Sequence, residues 1–354
     1  MSNKESYLLE YLNKSFLGSI KLSDYTDITY NGEFLYGILR SKNKVKLDIT
    51  ITNEEVGDFL IHMANILGKN FNTLNPFLDI TFLTYRLSAV HPLIAKERLR
   101  GVYTFSLRIY QKELVVNPLD DSYCSKEVFY LLSKLIENKQ SILFSGAVSS
   151  GKTELQKHLV SYMKDDTRII LIEDQYETFL KELFPKLDIV TWITFNNQDD
   201  LSKEMRKLIT VALRNNPEWL IISEVRGSEA KELYTSLTTG HPLITTIHSK
   251  SALKSIERLA YLMDIPLDNE ILFNDLVDYI SIGVHMEKIV NSDGSISRFI
   301  KEVVEYYTLD NKLVKNMIYQ SDGVYKLYNN LSKGLALRLN MKENWYEEIE
   351  GSNR

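Results

Sequence analysis

Apolar positions along this chain change rhythm three times, and each rhythm predicts a different kind of element. Residues 27–37 alternate around Asn31-Gly32, a dipeptide typical of hairpin turns. After Thr52-Asn-Glu-Glu55, a capping-box signature, Val56, Leu60, Met63, Ala64 and Leu67 recur at helical spacing, and Gly68 stops the helix. Strand patterns return at 85–90 and 104–109. Residues 111–125 contain Asn117-Pro118, Asp120 and Asp121 and keep no period, as a linker does. A helix is then expected over 126–137, with Val128, Leu131, Leu132 and Leu135 on one face. Beyond it, strands at 142–145, 168–173, 219–225 and 243–248 alternate with helical stretches. Residues 168–172 and 219–222 are mostly apolar without alternation, as in strands covered on both faces. Strands alternating with helices predict a parallel, doubly wound α/β sheet. The expected organisation is a smaller α+β domain at 1–112, a linker at 113–125, an α/β core at 126–310, and a segment at 311–354. That last segment reads as a helical accessory piece or a partly disordered tail.

Composition narrows the classes. The chain has 354 residues, enough for two domains. Its net charge of −5 argues against a surface that coats nucleic acid. A single cysteine, Cys124, allows neither an internal disulfide framework nor a four-cysteine zinc site. No apolar run approaches the roughly 20 residues of a membrane span, and the first residues lack a signal-peptide layout. The expectation is a cytoplasmic protein that meets a membrane only through partners.

The strongest chemical signal is Ser141-Ile-Leu-Phe-Ser-Gly146-Ala147-Val148-Ser149-Ser150-Gly151-Lys152-Thr153-Glu154. A strand runs into G-x-x-x-x-G-K-T and then a helix. Gly146 and Gly151 let the backbone curl so that N–H groups point inward at phosphates. The helix start adds its dipole and unpaired donors. Lys152 is the residue type that reaches β/γ-phosphates, and Thr153 the hydroxyl offered to Mg²⁺.

Three motifs follow, each at or near a predicted strand end, where such sheets bind ligands. Glu173-Asp174-Gln-Tyr-Glu177 gathers three carboxylates after a buried strand. They suit a metal, a cation or the orientation of an attacking water, or else a solvated helix start. Leu220-Ile-Ile-Ser-Glu224-Val-Arg226-Gly227 ends an apolar strand on a carboxylate, the layout that holds Mg²⁺ or its water shell. A plain salt bridge from Glu224 to Arg226 would look the same. Thr239-Gly240-His241 and Thr246-Ile247-His248 bracket a strand with two histidines, which suit sensing of a γ-phosphate or a structural role.

In this order the four motifs resemble those of the secretion traffic ATPases, the hexameric motors of type II and type IV secretion, pili and conjugation. Leu213-Arg214-Asn-Asn-Pro217-Glu218, Tyr85-Arg86 through His91-Pro92, and Phe105-Ser-Leu-Arg108 resemble further family signatures. The similarity covers about residues 20–305. It implies a RecA-like phosphate-loop core, ATP with Mg²⁺, and a homohexamer working on a membrane-embedded platform or coupling protein at the inner face of the membrane, without direct nucleic-acid binding. It implies that Gly146 to Glu154 cradle the phosphates and that Thr153, Glu224 and Glu173 approach Mg²⁺. Glu177 matches the general base. His241 and His248 match the box linking nucleotide state to subunit shape, and Arg108, Arg214 and Arg226 match arginines facing nucleotide or neighbouring subunit.

The chain departs from the family pattern at Ser149, Ser223 and Ser249, where the first two replace glycine and the third alanine. The short N-terminal domain suits the type IV secretion and tight-adherence branches. Two other classes fit the core: a nucleic-acid-dependent RecA-like motor, and an assembly subunit that binds nucleotide without turnover.

Overall fold

The computed structural model describes residues 3–40, 44–194, 201–227, 229–265 and 270–348. It divides into two compact units, Met1–Lys112 with Val290–Ile296, and Glu113–Ile289 with Ser297–Arg354.

The first unit contains α1 (Asn3–Lys14), β1 (Tyr25–Tyr30), β2 (Leu35–Leu39), β3 (Lys44–Lys46), α2 (Asn53–Ile66), β4 (Phe77–Phe82), β5 (Tyr85–Val90), the short pair β6 (Lys96–Glu97) and β7 (Arg100–Gly101), and β8 (Thr104–Ile109). Six strands form one antiparallel sheet in the order β3-β2-β1-β8-β5-β4. The helix α2 begins with the expected capping box. Thr52 Oγ1 accepts the Glu55 amide, and Glu55 Oε2 accepts the Thr52 amide at 2.8 Å. Its face of Leu60, Met63 and Ala64 shares one core with Ile28, Leu87 and Leu107 from the sheet.

The second unit contains α3 (Lys126–Glu137), β9 (Ile142–Gly146), α4 (Lys152–Val160), β10 (Arg168–Glu173), α5 (Leu180–Leu183), β11 (Asp188–Ile193), α6 (Leu201–Ala212), β12 (Trp219–Val225), α7 (Ala230–Thr238), β13 (Leu243–Ile247), α8 (Ala252–Leu262), α9 (Glu270–Tyr279), β14 (Ile282–Val290), β15 (Ile296–Leu309), β16 (Lys312–Ser321), β17 (Lys326–Tyr328) and α10 (Lys333–Leu339). Its sheet has nine strands in the order β11-β10-β12-β13-β9-β14-β15-β16-β17. The first six run parallel to one another. Ile142 and Phe144 of β9 face one core with α3 and α4, while Leu143 faces a second with α6, α7 and α8. Apolar residues are therefore needed on both faces, and the strand shows no alternation. This is an α/β RecA-like core accompanied by a smaller α+β unit.

Two expectations about organisation are corrected. Residues 311–348 are not a helical piece or tail. β16 pairs antiparallel with β15, β17 with β16, and Tyr319, Leu335, Leu339 and Trp345 sit in the core beside α3. A boundary at 310 therefore falls inside a hairpin; residues 349–354 lie outside the described part. Nor is 113–125 free chain. Val116 and Cys124 are buried in that same core, and the Ile300 amide donates to the Tyr123 carbonyl at 2.9 Å.

Candidate nucleotide site

Parallel strands gather their carboxyl ends along one edge of a sheet, and four of the sequence motifs end there. The β9 strand runs into the loop at Gly146, β10 ends at Glu173, β12 carries Glu224 near its end, and His248 follows β13.

The loop from Gly146 to Gly151 is built from unusual backbone. Gly146 has φ +149°, Ser149 φ +61° and Gly151 φ +100°. A Cβ on Gly146 would stand 2.5 Å from the Met286 carbonyl oxygen of β14, so side chains are excluded there. The Lys152 ammonium folds back along the loop and donates to the carbonyls of Gly146 at 2.8 Å and Ala147 at 3.0 Å. Burial lowers its pKa, against the pull of the Glu224 charge. Ser150 Oγ is buried with no hydrogen-bond partner among the described residues. The helix α4 starts at Gly151 without a side-chain cap. A concave run of amides, a buried ammonium and an orphaned hydroxyl at an uncapped helix start fit the phosphates of a nucleotide. Thr153 begins α4 beside Lys152. Glu154 pairs with the fully buried Lys157 at 3.2 Å.

Facing this loop is a chain of charges. A register shift in β12 between Ile222 and Val225 bends the strand at Ser223-Glu224. Thr246 Oγ1 donates to the Ser223 carbonyl at 2.7 Å and fixes the bend. Glu224 Oε2 takes the Arg226 guanidinium at 2.8 Å, and its Oε1 lies 2.9 Å from His248 Nε2. The same guanidinium reaches Asp174 Oδ2 at 3.0 Å. Burial opposes charge on Glu224, but the Arg226 hydrogen bond and the charges of Arg226, His248 and Lys152 bring its carboxyl below the ordinary glutamate value. Glu229 Oε1 accepts the amides of Arg226 and Gly227, so the turn after β12 is also held. A cavity of about 30 Å³ between Asp174, Ser202, Glu224, Arg226 and Glu229 has room for a water or two.

Glu173 is fully buried at the end of β10. Its Oε1 accepts the Thr178 amide at 3.1 Å, and its Oε2 has no partner among the described residues. Burial first, then the nearby Glu177 charge, pushes its pKa up to about 8. Glu173, expected near Mg²⁺, is thus enclosed at the end of β10, and through the Thr178 amide it ties down the 174–178 loop. That loop carries Glu177, half-buried and within electrostatic reach of Lys152 and Arg226.

The structure does not bring every expected residue to this edge. His241 precedes β13 and Arg214 lies in the turn Leu213–Asn215 before β12, so both stand at the amino edge of the sheet. Across β13 that is roughly 20 Å from His248. His241 Nδ1 meets Thr239 Oγ1 at 2.8 Å. Arg108 belongs to the first unit, on β8, where it pairs with Asp27 of β1 at 3.0 Å. Conversely, two residues without a motif touch the loop or its strand. His285 Nδ1 lies 2.9 Å from Ser145 Oγ, with its pKa lowered to about 4 by burial. Arg298 Nε donates to the Ser149 carbonyl at 2.9 Å. Both come from β14 and β15, and only strand pairing reveals them.

A family model described as type II/IV secretion system protein matches residues 81–270, from the end of β4 to the start of α9. An uncharacterised protein of Bacillus anthracis is 32% identical over 313 residues, which cover 86% of this chain and 67% of that protein. The type IV secretion system protein VirB11 of Bartonella henselae is 32% identical over 144 residues, 40% of this chain and 39% of VirB11. The chain thus spans about two thirds of the first relative's length and about two fifths of the second's. The solved structure of the ATPase DotB of Yersinia pseudotuberculosis superposes with a TM-score of 0.62 at 18% identity, over 87% of this chain and 79% of DotB, a likeness of fold.

Proposed function

Since the chain belongs to the type II/IV secretion system protein family, we propose that it hydrolyses ATP to drive a secretion, pilus-assembly or conjugative-transfer machine. It works as a homohexameric ring at the cytoplasmic face of a membrane, against a membrane-embedded platform or coupling protein. The observation that carries this reading is the shared carboxyl edge: the loop with Lys152, the Glu177 loop, and Glu224 gripped by Arg226 and His248 all open onto it.

The amides of 147–151 and the Lys152 ammonium bind the β- and γ-phosphates, exchanging the Gly146 and Ala147 carbonyls for phosphate oxygens. Thr153 Oγ1 and Glu224 would hold Mg²⁺, which would supply charge neutralisation at the phosphates. Glu177 orients a water and takes its proton as the water oxygen bonds to the γ-phosphorus. The bond from that phosphorus to the β–γ bridging oxygen breaks, and ADP and phosphate leave. Arg226 fixes Glu224, and His248 couples the state of the site to β13. Arg108, Arg214 and His241 act on a neighbouring subunit's nucleotide or surface within the ring. Domain 1–112 moves against the core about the chain before Val116.

The test is steady-state ATP hydrolysis against protein concentration, with molar mass by light scattering on the same samples. Activity rising as a ring of about six forms supports the motor. Full activity in a monomer removes the ring, and strong stimulation by DNA returns the nucleic-acid motor.

A further inference from the structure

Three consecutive loop residues, Ala147, Val148 and Ser149, are exposed, so the loop has little packing of its own to hold its shape. Its turn closes through the Ser150 amide on the Ala147 carbonyl at 3.3 Å. Ser149 is the third residue of that turn, at φ +61°. A left-handed third position takes glycine readily, because a Cβ crowds the following carbonyl. A serine there persists only where its surroundings over-determine it.

While Lys152 holds the Gly146 and Ala147 carbonyls, the Ser149 carbonyl itself is met by an arginine from a strand 149 residues away. Arg298 Nε donates to the Ser149 carbonyl at 2.9 Å, a charge-assisted bond. Its Cδ lies 3.7 Å from where a Cβ on Gly151 would sit, so the side chain runs alongside the loop from 149 to 151. The base of the strut is fixed as well. Two residues on, the Ile300 amide binds the Tyr123 carbonyl, and Tyr123 Oη stands 3.9 Å from the same point at Gly151.

We propose that Arg298 is a positioning residue of the phosphate loop, which grips the Ser149 carbonyl and keeps the strained turn in its phosphate-binding shape before nucleotide arrives. The proposal rests on the nucleotide reading above. Preordering of the turn spares a bound phosphate the cost of ordering it. The residues Ser149 and Arg298 form one device: the serine creates the need and the arginine meets it.

A double-mutant cycle tests this. Arg298→Gln and Ser149→Gly are made singly and together. ADP affinity is measured by calorimetry, and amide hydrogen exchange at residues 147–151 is followed in nucleotide-free protein. Arg298→Gln alone should weaken ADP binding about tenfold and speed exchange in the loop. In the Ser149→Gly background, where left-handed backbone comes freely, the same change should cost less than about twofold. An equal loss in both backgrounds would put Arg298 on the nucleotide itself and overturn the proposal, as would unchanged affinity and exchange in Arg298→Gln. Arg298→Lys keeps the charge and the apolar stem without the Nε–H, and shows the same coupling even if the glutamine variant folds poorly. Failure of the wild-type protein to bind ADP would remove the nucleotide site itself; wild-type binding with no effect of Arg298 removes this inference alone.

Discussion

His248 Nε2 and Glu224 Oε1 meet at 2.9 Å across the ends of two adjacent parallel strands, while Arg226 takes the other oxygen of the same carboxylate. Glu224 is thus approached by a basic group at each of its oxygens. We expect His248→Ala to lower kcat about tenfold with ADP affinity within about twofold, and Glu224→Gln to lower kcat at least about a hundredfold. Steady-state kinetics beside ADP titration separates the two. Equal loss of affinity in both variants would contradict the assignment.

The Lys152 ammonium donates to the backbone carbonyls of Gly146 and Ala147 in its own loop. Lys152→Ala should therefore fold with a melting temperature near that of the wild type, lose hydrolysis by about a thousandfold, and bind ADP about tenfold more weakly. Wild-type turnover in that variant would remove the site.

Glu177 stands on the loop that Glu173 ties down, half-buried and near Lys152. Glu177→Gln should bind ATP as the wild type does while turnover falls about a hundredfold or more. Trapped ATP after rapid gel filtration would show the two effects apart. Turnover within about threefold of wild type would move the base elsewhere.

His241 is held by Thr239 at the amino edge. His241→Ala should leave the ADP affinity of dilute, monomeric protein unchanged and alter only behaviour that depends on concentration. A tenfold loss of affinity in the monomer would contradict its placement before β13.

The Glu173 carboxyl has its pKa raised from 4.5 to about 8. Between those values the unfolded chain gives up a proton that the folded chain keeps. Its contribution to stability is therefore full below about 4.5 and is lost as pH rises through about 8. Glu173→Gln, neutral at every pH, should flatten the fall in melting temperature from pH 6 to 9, an effect on the order of a few kcal/mol. Parallel curves for the two proteins would show that Glu173 is ionised in the fold.

Local patterns in the sequence carried far where the physics is local. The Thr52 capping box, the α3 stripe and the strands carrying Glu173 and Glu224 at or near their ends all stand where the sequence pattern predicts them. The sheet beyond β13 was hidden for a definite reason. The strand β15 buries Glu302 and Glu305, which look like solvent positions in a linear reading. Glu302 Oε2 accepts the Ala252 amide at 2.7 Å, and Glu305 binds the Ser332 amide and hydroxyl. A buried carboxylate is tolerable only with such partners, and these lie 50 and 27 residues away in the chain. Arg298 and His285 escaped for the same reason. His241 and Arg214 each precede a parallel strand, and so stand at the amino edge of the sheet.

The position of β9 has a consequence for biosynthesis. The strand that carries the phosphate loop ends at Gly146, yet its two neighbours are Leu243–Ile247 and Ile282–Val290. A ribosome that has just completed the loop has made neither. The nascent chain must hold β9, apolar on both faces and unpaired on both sides, until β13 and then β14 emerge. The loop's strand is therefore paired on both sides only after β14 has emerged, and a translational stall between residues 147 and 282 leaves an aggregation-prone strand.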